Sequence, residues 1–145
     1  MRLATREWVE KAEGDYHAAR QLLRAKKHPN FDAVCFHAQQ CAEKYMKAVL
    51  VENRKRIERI HDLSELLRRL SAINPFWDAL REAAKALSDF AIRFRYPGSN
   101  ADRRMAKSAV RGCEIIRAHM REHLRLRSTS VQSRAKRRPR EKRTE

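Results

Sequence analysis

The stretch from Phe31 to Val51, FDAVCFHAQQCAEKYMKAVLV, restricts what this chain can fold into more than any other. At 100° per residue, Phe31, Val34, Cys35, Ala38, Cys41, Ala42, Tyr45 and Val49 fall on one wide apolar face, the pattern of a helix set in a core. Its opposite side is not the mixed charge of a solvated surface. Phe36, Gln40, Glu43, Lys47 and Leu50 recur there at spacings of three and four, so a polar stripe of Gln40, Glu43 and Lys47 lies between two large apolar residues. The polar residues alone read equally well as a solvated stripe with an i,i+4 ion pair, but Phe36 and Leu50 argue for a second buried surface. A helix apolar on two sides has neighbours on two sides, either from its own domain or from a second copy of the chain. In the second case Phe36 marks a dimer seam, and a charge placed there yields a monomer.

Three Gly and four Pro in 145 residues, against abundant Ala, Leu, Arg, Lys and Glu, favour helices over strands. The expectation is an all-α protein, an antiparallel bundle of four to five helices over residues 1–124. No apolar run approaches the roughly 20 residues that span a bilayer, and MRLATREWVEK lacks the apolar centre of a secretion signal, so a cytoplasmic protein without membrane contact is expected. Cys35, Cys41 and Cys113 are odd in number, unpaired by any CxxC spacing and set among apolar residues, which reads as small core residues. Neither a cofactor nor a metal site is expected.

The net charge of +16 is uneven. Residues 125–145 carry nine Lys or Arg against two Glu, a net of +7, with almost nothing large and apolar after Leu126. That tail is expected to be disordered, as a solubilising end or as an arm that neutralises phosphates. Along the rest of the chain, Trp8, Ala12, Tyr16, Ala19 and Leu23 recur at helical spacing behind Thr5 as N-cap, and His28-Pro29-Asn30 ends that helix. Asp62 with Glu65 reads as a capping box opening a short helix that turns Leu63, Leu66, Leu67 and Leu70 inward. Asn74-Pro75 starts a fourth helix, whose inward residues include Phe76, Trp77, Leu80, Leu87, Phe90 and Phe94. Pro97-Gly98 suits a type II turn, and a last helix from about Ala101, with Asn100 as cap, turns Met105, Ala109, Cys113, Ile116, Met120 and Leu124 inward.

Four segments in order, WVEKAEGDYHAARQLL, FDAVCFHAQQCAEKYMKAVL, HDLSELL and RYPG, resemble the HEPN domains, small helical partners of minimal nucleotidyltransferases. The resemblance covers about residues 5–124. It implies a homodimer that works beside a nucleotidyltransferase, often as a toxin–antitoxin module, and it allows a metal-independent ribonuclease built on an Arg, four to six residues, then His. In such a pair His shuttles the proton of an RNA 2′-hydroxyl while Arg neutralises the phosphate.

The chain departs from that pattern where ribonuclease members carry the pair, around the start of the last helix, because RFRYPGSNADRR contains no His. Arg56 with His61, and Arg117 with His123, fit the bare spacing elsewhere. His61 belongs to the helix start at Asp62, and Arg117 and His123 are expected on the wet side of the last helix. The stronger candidate is the corner itself: Arg93, Arg95, Tyr96, Arg103 and Arg104 could gather guanidinium groups and one phenol around a nucleotide or RNA phosphate, with Arg95 and Tyr96 as catalytic candidates and Arg56 and His61 as weaker ones. A phenol with an ordinary pKa near 10 is a poor base at pH 7. The alternative is structural, with Tyr96 covering the core and Arg93 and Arg95 paired to Glu43 or Asp89. Three functions follow: a nucleotide- or RNA-binding HEPN protein, a metal-independent toxin ribonuclease, or a structural helical adaptor.

Overall fold

The computed structural model describes residues 1–127, and residues 128–145, the greater part of the segment 125–145 expected to be a disordered arm, lie outside them. The described chain is helical: α1 Leu3–Arg24, α2 Phe31–Glu52, α3 Leu63–Ser71, a 3-10 turn Pro75–Leu80, α4 Arg81–Arg93 and α5 Arg103–His123. The all-α bundle of the sequence reading is therefore what forms.

The element expected at the centre is there. On α2 the residues Val34, Cys35, Ala38, Cys41, Ala42, Tyr45 and Val49 have no solvent exposure, and this face meets α1 and α5. The second face is closed from within the domain at its C-terminal half, where α3 and α4 pack on α2 and Leu50, Glu43 and Lys47 are buried, Lys47 beside Trp8 of α1. Phe36, two turns before Glu43 on that side, stays 44% exposed. All three cysteines are free and buried, and burial, with Asp32 and Asp102 nearby, pushes the Cys35 thiol up to about 11.

Helix starts follow local chemistry with three adjustments. Asn30 accepts from the Ala33 N–H at 3.1 Å, Asp62 from Ser64 N–H at 2.9 Å, and Asn74 from Phe76 N–H at 3.1 Å, each an N-cap. Glu65, however, turns its carboxylate to Arg68 and Arg69 rather than back to the chain. Helix α1 starts at Leu3, ahead of Thr5, because Glu52 at the far end of α2 accepts from the Arg2 backbone N–H at 2.9 Å. Thr5 is buried inside the helix instead. Asp102, and not Asn100, caps α5 by accepting from Met105 N–H at 2.8 Å.

The segment after Pro75 winds as a 3-10 turn, so residues three apart share a face. Trp77 and Leu80 point inward while Phe76 is 89% exposed, a correction to its expected place in the core. Gly98 adopts φ 99°, as the Pro-Gly turn requires. Beyond α5, Leu126 still packs on the core, with its N–H donating to Arg121 O at 2.9 Å, so the folded unit runs past residue 124.

Candidate functional site

Three local devices converge on the outer face of α2. The Asp62 cap fixes the start of α3, and Ser88 Oγ on α4 accepts from the Leu63 N–H at 3.3 Å, which ties that start to α4. His61, just before the cap, is thereby held over α2. At the end of α4, Phe94 is buried and stacked on Phe90, with ring centroids 5.7 Å apart. That anchor leaves Arg95 at the helix exit facing the same side of α2.

The result is two adjoining cavities. One, of about 540 Å³, is lined by Gln39, Gln40, Glu43, His61, Asp62, Ser88, Ala91, Ile92 and Arg95. The other, of about 450 Å³, is lined by Asn30, Asp32, Ala33, Phe36, Phe90, Ala91, Phe94 and Arg95. Arg95 and Ala91 belong to both, so a guanidinium stands where a polar chamber meets an aromatic one.

Within the polar chamber Glu43 is the unusual group. Its side chain is only 6% exposed, and Lys47 Nζ lies 3.4 Å from Oε2. Lys47 in turn sits over the Trp8 ring, 5.5 Å from its centroid. Oε1 has no hydrogen-bond partner, although His61 Nδ1 is 3.5 Å away. A buried carboxylate oxygen left unpaired is costly, and it can only accept. Gln40 Nε2 donates to Gln39 Oε1 at 2.8 Å, aligning the two amides along the wall.

Several residues singled out in the sequence meet here and others do not. Arg95, His61, Gln40 and Glu43 share the polar chamber, and Lys47, which does not line it, pairs with Glu43 at 3.4 Å. Tyr96 is 65% exposed and lines neither chamber. Arg93 lies over the Phe94 ring at 5.5 Å and Arg103 over the Phe31 ring at 5.1 Å. Arg104 and Arg56 are exposed, and Arg56 contributes its carbonyl to Arg69 at 3.4 Å. Among the described residues neither Arg93 nor Arg95 forms an ion pair with Glu43 or Asp89. Arg117 is buried, not on the wet side: it pairs with Glu13 at 2.8 Å and covers the Tyr16 ring at 4.1 Å. His123 rests edge-on against Trp77, 5.0 Å between centroids.

What the sequence did not reveal is the association of His61 with Arg95, 34 positions on, and the roles of Ser88 and Phe90. The three- and four-residue spacing of Phe36, Gln40 and Glu43 was the available signal, and it marks one wall only. Among the described residues no cluster of His, Cys, Asp and Glu could hold a metal ion, and no helix is long and apolar enough to cross a membrane.

The fold and site define a small helical-bundle domain with an arginine-bearing trough along its central helix. The HEPN domain model matches residues 5–123, and the chain belongs to that family. The crystal structure of TT1696 from Thermus thermophilus is similar at TM-score 0.70 and 26% identity, covering 81% of this chain and 96% of that one. ST0689, an archaeal HEPN homologue, is similar at TM-score 0.66 and 26% identity, covering 83% and 97%. No curated protein matches the chain.

Proposed function

We propose that this protein is a homodimeric HEPN component of a nucleotidyltransferase-containing, toxin–antitoxin-type module in the cytoplasm, and that it holds a nucleotide or RNA phosphate at Arg95. One observation carries the reading: Arg95 lines two adjoining cavities with no carboxylate paired to it among the described residues, beside the donors of Gln40 and His61. A planar guanidinium in a recess suits bidentate contact with a phosphate. The surplus of positive charge, +16 overall, would draw polyanions toward it.

A second reading, a metal-independent endoribonuclease, is favoured by His61 and Arg95 lining one chamber. In it His61 takes the proton of the 2′-hydroxyl as that oxygen attacks phosphorus, and returns it to the departing 5′-oxygen, while Arg95 neutralises the charge gathering on the phosphate. Glu43, 3.5 Å from His61 Nδ1, would steady the protonated imidazole.

Incubation of the purified protein with total RNA, free of metal, tests both. Binding without cleavage, weakened by salt and by Arg95→Ala, supports the first. Cleavage lost in Arg95→Ala and His61→Ala but kept in Tyr96→Phe supports the second. RNA affinity unchanged by Arg95→Ala rejects the site.

A further inference from the structure

We infer that the two chambers are adjacent nucleotide subsites, which receive a dinucleotide step of single-stranded RNA with its phosphodiester on Arg95, and that the polar chamber takes guanine. The inference rests on the proposed role of Arg95. A mononucleotide would use one chamber, whereas Arg95 lines both, which places the phosphate between two nucleosides.

The chambers differ in what they offer a base. Phe36, Phe90 and Phe94 line the aromatic one, and Phe36 is 44% exposed, so a ring is open to stack against any base. The polar chamber offers Glu43, whose side chain is buried to all but 6% and whose Oε1 makes no hydrogen bond, with His61 Nδ1 3.5 Å away. That oxygen accepts an N–H donor from a base once the exposed His61 ring beside it turns aside. Guanine alone among the four RNA bases presents two adjacent donors, N1–H and N2–H2, on its Watson–Crick edge, the pattern a carboxylate accepts. The face of Gln40 beside Glu43 leaves an amide oxygen and the Gln39 amide nitrogen for the rest of that edge.

The test uses 2′-O-methyl dinucleotides, which bind without being cleaved, titrated into the full chain by calorimetry: GpU and UpG against ApU and UpA, with guanosine monophosphate alongside. Guanine-containing steps should bind about tenfold tighter than their adenine counterparts. Glu43→Gln should erase the preference, since its amide donates where a carboxylate accepts. Phe36→Ala should weaken every dinucleotide by about fivefold or more and leave guanosine monophosphate and the oligomeric mass unchanged.

Equal affinity for all four dinucleotides, with Arg95→Ala weakening each, overturns the guanine assignment and leaves the phosphate site standing. Absence of binding by every probe rejects both. A mass that changes in Phe36→Ala shows that the aromatic chamber is closed by a second copy and overturns the two-subsite arrangement. Because the guanine preference is read in the unmutated protein, a variant that fails to fold does not shield the inference.

Discussion

At the scale of single residues, the groups with most at stake are charged ones inside the bundle. Glu13 accepts from Arg117 at 3.0 Å, from Arg121 at 2.8 Å and from the Tyr45 hydroxyl, and burial with the Glu13 carboxylate pushes the Tyr45 phenol up. Removing the carboxylate takes a charged partner from each of two largely buried guanidinium groups, although Arg117 keeps the Tyr16 ring and Arg121 keeps the Tyr45 hydroxyl. Glu13→Ala should therefore cost about 3 kcal/mol in urea unfolding, whereas a surface Glu such as Glu7 should cost near zero. Glu65 behaves differently, since Arg68 hydrogen-bonds its exposed carboxylate and holds its pKa at about 2, below the ordinary 4.5. A folded-state pKa below the unfolded one contributes stability above about pH 4.5 that is lost as pH falls toward 2. Thermal melts should show Glu65→Gln less stable than the parent at pH 7 and equal to it near pH 2. The Glu13 network was not legible because Tyr45 reads as one more apolar core position. Arg117 reads as wet until its i,i+4 partner Arg121 is seen to share the side of α5 that meets Glu13.

Whole elements were more legible, because a helix announces itself by period and by its caps. The inward face of α2 needed only its 3.6-residue recurrence, and Asp62 and Asn74 were identifiable as caps from side chains that hydrogen-bond a nearby N–H. Where two suitable caps stand two residues apart, local chemistry does not choose. Asn100 and Asp102 are such a case, and tertiary structure decides it: Asp32 on α2 accepts from the Ala101 N–H at 2.7 Å and so holds that residue outside the helix. Asp102→Ala should cost about 1 kcal/mol in thermal unfolding and Asn100→Ala a few tenths at most. Equal costs would contradict the assignment. The 3-10 winding after Pro75 was hidden for a related reason. Trp77 and Leu80 are three apart, a spacing shared by both helix types, and only packing against α3 shows that Phe76 is left in water.

For the whole molecule, bundle class and family were legible from the order of segments, while the site was legible only in halves. The sequence separated Arg95 at the α4 exit from His61 at the α3 start, and treated them as rival sites; the fold sets both on the outer face of α2. No spacing rule joins residues that far apart, since their approach depends on α3 and α4 docking over the second face of α2. Conversely, the five-residue corner looked continuous in sequence because Arg93, Arg95, Tyr96, Arg103 and Arg104 surround one turn. In the fold, Arg93 and Arg103 each lie on a phenylalanine ring, and Tyr96 faces solvent. The central claim is that the guanidinium at the junction of the two chambers binds phosphate. Fluorescence anisotropy of a short single-stranded RNA at fixed salt, with full-length Arg95→Ala and Arg104→Ala variants, tests it at equal change of net charge. We expect Arg95→Ala to weaken binding about tenfold and Arg104→Ala, which lines neither chamber, to weaken it far less. Equal losses in the two variants would mean that only diffuse positive charge holds the RNA, and would contradict the claim.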